Sequence, residues 1–260
     1  MDAEIAIIGG TGIYNTDIIT NEEKINIQTP YGETSDQITT GVFMDKKIAF
    51  LPRHGQKHSV APHKINFLAN IWALKELGVT RIIAPCAVGS LREEMEPGDI
   101  AIPDQFIDRT KDRTSTFYEK DTVAHISTAD PFCPELRNIA ISEGNNLNYK
   151  IHEKATQVCI EGPRFSTRAE SNMFRNWGAD TINMTLFPEC VLARESQICY
   201  VAIATITDYD NLGGTAVSHH EVLKTLEKNV EKTSNIIMNI IRNIKSDRDC
   251  LCAHALDEAI

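Results

Sequence analysis

The first residues able to do chemistry follow an apolar run. "IAFLPRHGQKHSVAPH", residues 48–63, gathers Arg53, His54, Lys57, His58 and His63 in one short segment. Arg53 offers a planar fork suited to two oxygens of a phosphate-like anion, and His54 adds a donor beside it. A metal held by His54, His58 and His63 fails on geometry, because Pro52, Gly55 and Pro62 break any helix that could bring three rings to one face. Lys57, His58 and His63 can equally be solvated loop residues. A second group lies in "TITDYD", where Asp208 and Asp210 are two apart, so an extended strand puts both carboxylates on one side. Carboxylates that close repel, one keeps its proton to higher pH, and such an acid can protonate a leaving group. An ordinary acidic turn after a strand is the plainer alternative.

Three further motifs offer smaller contributions. In "GGTGIY", Gly9 and Gly10 permit a tight turn whose N–H groups, with the Thr11 hydroxyl, form an anion nest. The same stretch is no dinucleotide fingerprint, since Asn15 stands where the third glycine belongs. "CAVGS", containing Cys86 and Ala87, lets backbone approach a ligand closely. "NMT" supplies Met184, an adaptable apolar surface, and the Thr185 hydroxyl. A buried Met and Thr are more often core, so the weight comes from convergence.

Such residues must be held by strand ends. "EIAIIGG", "KKIAFLP", "TRIIAPCAVG", "DIAIP", "ATQVCIEG", "DTINMT" and "CYVAIATIT" are short, β-branched and bounded by Gly, Pro or polar breaks. Helical stretches alternate with them. "NFLANIWALKELG" stops at Gly78, and "TRAESNMFRNWG" pairs Thr167 with Glu170 in capping-box register. "SHHEVLKTLEKNV" sets Ser218 and Glu221 in the same register, with Val222, Leu223, Leu226 and Val230 as the apolar stripe, so a helix is predicted from His219. Alternation of this kind predicts an α/β fold with a mainly parallel or mixed sheet, whose ligands collect outside the carboxyl ends of the strands. Residues 109–135 are too polar and broken for core, and read as a functional or interface loop.

Composition narrows the class. The 260 residues fit one large domain, 1–260 with a C-terminal tail from about 246, and 42% are hydrophobic, enough to fill a sizeable core. A formal charge of -10 opposes nucleic acid as a partner. No apolar run approaches a membrane span, and the start lacks the layout of a signal peptide, so a cytoplasmic protein without membrane contact is expected. The seven cysteines have no zinc-site spacing and read as free thiols, with a Cys250–Cys252 disulfide as the minority alternative.

Taken in order, "IIGGTGIY", "PRHG", "ANIWALKELGV", "GSLREEMEPGDIAIPDQFIDRTKDRTSTFY", "ADPFCPELR", "EGPRFSTRAES", "WGADTINMTLFPE" and "TDYD" resemble the methylthioadenosine-cleaving branch of the purine nucleoside phosphorylase family over nearly the whole chain. The resemblance implies one α/β domain with a mixed, partly barrelled central sheet flanked by helices, assembled as a homotrimer or homohexamer. It implies a pentosyltransferase of methylthioadenosine salvage, in which inorganic phosphate attacks the anomeric carbon of S-methyl-5'-thioadenosine and adenine leaves. No metal and no organic cofactor is needed; phosphate is a co-substrate. On that pattern Thr11, Arg53, His54, Cys86, Ala87 and Thr185 surround phosphate, with Arg53, His54 and Asp208 catalytic. Met184 underlies the ribose, Phe165 faces the purine, and Asp208 and Asp210 read its amino group and ring nitrogen. His125 reaches the 5'-substituent of a neighbouring subunit's substrate, and His219 and Val222 border the 5'-group. Two departures stand out: Cys86 replaces the usual Ser or Thr, and a shortened segment after "TDYD" brings His219 where an apolar residue is usual. The second departure makes a broader nucleoside phosphorylase that also uses adenosine the alternative. A nucleosidase, a non-catalytic purine sensor and a nicotinamide oxidoreductase are more distant alternatives.

Overall fold

The computed structural model describes residues 2–9, 19–212 and 216–260, with the side chain of His219 outside that description. The fully apolar runs become the centre of one mixed sheet. β1 (Ile5–Gly9), β4 (Lys46–Pro52), β5 (Arg81–Ser90) and β11 (Cys199–Tyr209) run parallel to their neighbours in the order β4-β1-β5-β11. Strands buried on both faces need no polar alternation, which is why these four read as continuous hydrophobic segments. On β1, Ala6 and Ile8 pack with α1 (Phe67–Glu76) and α4 (Leu186–Glu195), while Ile5 and Ile7 pack with α2 (Pro134–Asn146) and α5 (His219–Asn243).

The sheet branches at β5. Its first residues sit between β1 and β11, and its last two pair antiparallel with β10 (Thr181–Asn183). From β10 the sheet continues through β9 (Thr156–Ile160) to β7 (Gln105–Arg109), and in the other direction from β4 through β3 (Ile38–Phe43) to the polar edge β2 (Thr20–Ile25). β11 also pairs with β6 (Ile100–Ala101), which pairs with β8 (Ile151–His152). The ends β2 and β7 are not partners, so these eleven strands bend without closing into a barrel. No helix among the described residues is long and apolar enough to cross a membrane.

Local signals explain several boundaries. Thr167 and Glu170 close the predicted capping box at the start of α3 (Arg168–Asn176). α5 begins at His219 as predicted, but Ser218 makes no side-chain cap bond, so the second expected capping box is half formed at most. β11 carries a bulge at Thr207: Ile206 faces Val88 of β5 and Asp208 faces Gly89, leaving Thr207 as the extra residue. Residues 110–133 contain neither helix nor strand, in keeping with the expected irregular excursion. The cysteine spacing concealed one convergence. All seven cysteines are free, as expected, but the Sγ atoms of Cys133, Cys199, Cys250 and Cys252 all lie within 4.8 Å of one another, a grouping that their spacing along the chain does not reveal.

Candidate active site

The carboxyl ends of β4, β5, β10 and β11 open into a cavity of about 510 Å³. Most sequence-predicted residues line it: Arg53, His54, Cys86, Ala87, Met184, Thr185, Phe165, Asp208, Asp210 and Val222. Thr11 lies outside the described residues, as does the side chain of His219. His125 is not in this cavity; it is exposed on the long irregular segment, and its backbone N–H donates to Ala259 O at 2.8 Å. Apolar walls come from Val88, Ile160, Ile182, Leu223 and Leu226.

β5 is the measure of the site. At one end, Arg53 Nη1 donates to Pro85 O at 3.1 Å. At the other, a Cβ on Gly89 would stand 3.1 Å from Asp208 Oδ1 and from Asp210 Cβ, so a side chain here would press on β11 and its carboxylates. Pro85 and Gly89 are four residue steps apart, about 13 Å of strand.

Arg53 differs from expectation in one respect. It is 2% exposed, and its fork is already occupied: Nε and Nη2 donate to Glu189 Oε2 and Oε1 at 2.7 and 2.8 Å. Nη2 also donates to Ile8 O at 2.8 Å, so with the Pro85 bond four of the five guanidinium N–H groups are taken. The remaining Nη1 proton is what Arg53 can offer a ligand. Burial alone would lower the Arg53 pKa, but the Glu189 carboxylate outweighs it and holds the guanidinium above its ordinary value. Tyr200 completes the group by donating its hydroxyl to Glu189 Oε1 at 2.8 Å. Glu189 and Tyr200 were missed at sequence level, because nothing in "LFPECVLARE" or the β11 run marks a partner for an arginine 136 residues away.

His54 also differs. Its Nδ1 lies 2.9 Å from Val60 O, and a carbonyl can only accept, so Nδ1 carries the proton. Burial, opposed by that bond but helped by Arg53 and His58, pushes its pKa down to about 4. The ring is therefore neutral with Nε2 as an acceptor, suited to the hydroxyl of a hydrogen phosphate rather than to a bare phosphate oxygen. It stacks on His58, with ring centroids 4.4 Å apart. Burial raises Cys86 to about 11, so the thiol is neutral and a weak donor. Thr185 precedes α4 without spending its hydroxyl on a cap.

Asn183 was passed over between Ile182 and Met184. Its amide is buried in the cavity wall beside the weakly interacting Cys86 thiol, and among the described residues neither Nδ2 nor Oδ1 makes a full hydrogen bond. A buried amide left unsatisfied by the protein is a group that a polar ligand would satisfy.

The two carboxylates are held differently. Burial, with smaller contributions from Asp210 and Glu221, lifts Asp208 to about 6, against a single supporting bond from Thr207 Oγ1 at 2.8 Å. Burial also raises Asp210, but less freely, because Ser166 Oγ sits 2.7 Å from both its oxygens and Ser171 Oγ 2.5 Å from Oδ2. Asp208 is thus the carboxyl better placed to carry a proton near neutrality, and Asp210 the fixed acceptor.

A family model described as the Phosphorylase superfamily matches residues 4–242. The S-methyl-5'-thioadenosine phosphorylase of Nitrosopumilus maritimus is 57% identical over 258 residues, 99% of this chain and 98% of that one. A solved methylthioadenosine phosphorylase sourced from an antarctic soil metagenomic library superimposes with a TM-score of 0.94 at 45% identity, covering 99% of this chain and 92% of that one. A mutant of the adenosine/methylthioadenosine phosphorylase from Schistosoma mansoni, in complex with methylthioadenosine, gives a TM-score of 0.89 at 36% identity, covering 95% and 93%. The family model, the sequence identity and the superposition agree, and the chain belongs to the phosphorylase superfamily.

Proposed function

We propose that this chain is an S-methyl-5'-thioadenosine phosphorylase, a pentosyltransferase that yields adenine and 5-methylthioribose 1-phosphate. The observation that carries the reading is the run of β5 from Pro85 to Gly89. It sets Arg53, bonded to Pro85 O, about one nucleoside's length from the protonatable Asp208 beside Gly89, with Cys86 and Ala87 on the strand between them. A nucleosidase would have no use for the anion end, and a sensor none for the acid.

In this reading phosphate sits against Arg53 Nη1, His54 Nε2, Cys86, Ala87 and the Thr185 hydroxyl. A phosphate oxygen forms the new bond to the anomeric carbon as the bond to adenine N9 breaks. The sugar gains positive charge on the way, and the adjacent anion stabilises it. Asp208 gives its proton to the purine ring nitrogen, so adenine leaves neutral, while Asp210 accepts from the amino group. Phe165 and Met184 supply the faces against which base and ribose lie. The Asn183 amide finds its missing partners in ribose hydroxyls or phosphate.

His125 serves a neighbouring copy's site in a cytoplasmic homotrimer or homohexamer, and no metal or organic cofactor enters the reaction. The shortened segment after "TDYD", next to the cavity-lining Val222, favours adenosine as a second substrate. One incubation tests both. Methylthioadenosine and adenosine, each with and without phosphate, should release adenine only when phosphate is present. Phosphate-independent adenine release, or preference for inosine, would overturn the assignment.

A further inference from the structure

Four of the seven cysteines meet far from the cavity. Cys133 caps α2, Cys199 opens β11, and Cys250 and Cys252 belong to the C-terminal tail. Cys133, Cys199 and Cys252 are at most 2% exposed, and Cys250 is half-buried. Their Sγ atoms lie within 4.8 Å of one another, and Cys199 and Cys250 approach to 3.3 Å. Four sulfurs around one tetrahedral ion with Zn–S of about 2.3 Å would stand about 3.8 Å apart, inside the observed spread. A multi-iron cluster would hold its cysteines farther apart.

The surroundings supply the complementary charge. Arg248 Nη1 lies 3.9 Å from Cys199 Sγ, and Arg194 Nη1 lies 3.7 Å from Cys252 Sγ. Four thiolates around a divalent ion carry two net negative charges, and these are the two guanidinium groups on the sulfurs. Arg194 Nε is itself buried with no partner among the described residues. Thiolate donors select a soft or borderline ion over magnesium or calcium.

We propose that Cys133, Cys199, Cys250 and Cys252 form a structural zinc site that fastens the C-terminal tail to the start of β11 and the N-terminus of α2. All four coordination positions come from the protein, so the site is closed and takes no part in the reaction. Binding is not a redox step: each thiol gives its proton to solvent, and its sulfur pair is donated to the ion. The tail so fastened carries Ala259, the carbonyl that holds the His125 backbone, so the site also anchors the His125 segment.

The test uses the full chain, purified under reducing conditions and loaded with zinc, then dialysed against metal-free buffer. About one zinc per chain is expected by elemental mass spectrometry. Cobalt(II) loading should give the visible bands of a tetrahedral tetrathiolate complex. The Cys250→Ser, Cys252→Ser variant should lose both signals. Arg194→Gln leaves the ligands intact and should weaken zinc by about 10- to 100-fold in competition with a chromophoric chelator. Reduced protein that binds no stoichiometric zinc and gives no cobalt bands overturns the proposal. So does zinc retained in full by the double-serine variant, or native protein whose intact mass shows two disulfides and which takes up no metal after reduction.

Discussion

Glu189→Gln tests how the site manages the deeply buried cation Arg53. The Arg53–Glu189 pair is 2% and 1% exposed, so solvent does not screen it. Removing one partner of such a pair leaves an uncompensated charge and costs about 3–5 kcal/mol. Here the lower end applies, because Ile8 O and Pro85 O keep their bonds to Arg53 and the Gln carbonyl can still accept one more. About 3 kcal/mol corresponds to a fall in Tm of roughly 6–12 °C at this chain length. Phosphate should return much of that loss, since it brings the missing negative charge to the Nη1 proton. The variant's melting temperature should therefore rise with phosphate much more steeply than the parent's, and its KM for phosphate should fall. Differential scanning calorimetry across a phosphate series measures both slopes. A variant that melts with the parent, or whose phosphate slope is no steeper, would refute the idea that Glu189 competes with phosphate for Arg53. Arg53→Ala is a poorer probe, because it strands Glu189 and confounds binding with stability.

Asp208→Asn should cut adenine-nucleoside phosphorolysis by about 100-fold or more and favour inosine-type substrates relative to adenine ones, measured by base release. The same change alters the pH dependence of stability. Asp208 is raised from 3.8 to about 6, so its contribution is fully present below about pH 4 and is lost as pH rises through about 6. That difference is worth about 3 kcal/mol, and Asp208→Asn should melt higher than the parent at pH 7 but not at pH 4; equal melts at both would falsify the burial argument. Cys86→Ser replaces a weak donor with a hydroxyl and should lower the KM for phosphate, whereas an unchanged KM removes residue 86 from the phosphate shell. Gly89→Ala places a methyl 3.1 Å from Asp208 Oδ1, Asp210 Cβ and Ile182 Cγ2, and should lower kcat/KM by about 10-fold or more by displacing the carboxylates. Parent-like kinetics would mean that the close approach at Gly89 does not position them.

What the sequence disclosed follows from how local each signal is. Asp208 and Asp210 are two apart on one strand, and Met184 and Thr185 are adjacent, so their shared cavity could be read from neighbours alone. Arg53 could be recognised by type but not by engagement, because Glu189 and Tyr200 arrive from elements far along the chain. His54 was visible as a ring and misread as a donor, since its tautomer depends on Val60 O. β2, with its sequence "TNEEKI", escaped notice because an exposed edge strand need not carry apolar alternation. The four-cysteine convergence joins residues up to 119 positions apart, from Cys133 to Cys252, and no spacing rule reaches that far.

The bulge at Thr207 acts as a change of phase in β11. Before it, Ala204 and Ile206 belong to the core while Thr205 and Thr207 face the cavity; after it, Asp208 and Asp210 face the cavity. Even-numbered residues thus serve stability upstream and chemistry downstream, and one inserted residue separates the two duties. The same sequence running on as a regular strand, without the bulge, would keep the same hydrophobic core and the same composition at the strand's end, yet would turn Tyr209 toward the ligand and both acids away. The difference between a catalyst and an inert protein of the same fold can therefore lie in the parity of one strand, a change that a comparison of residue content would never register.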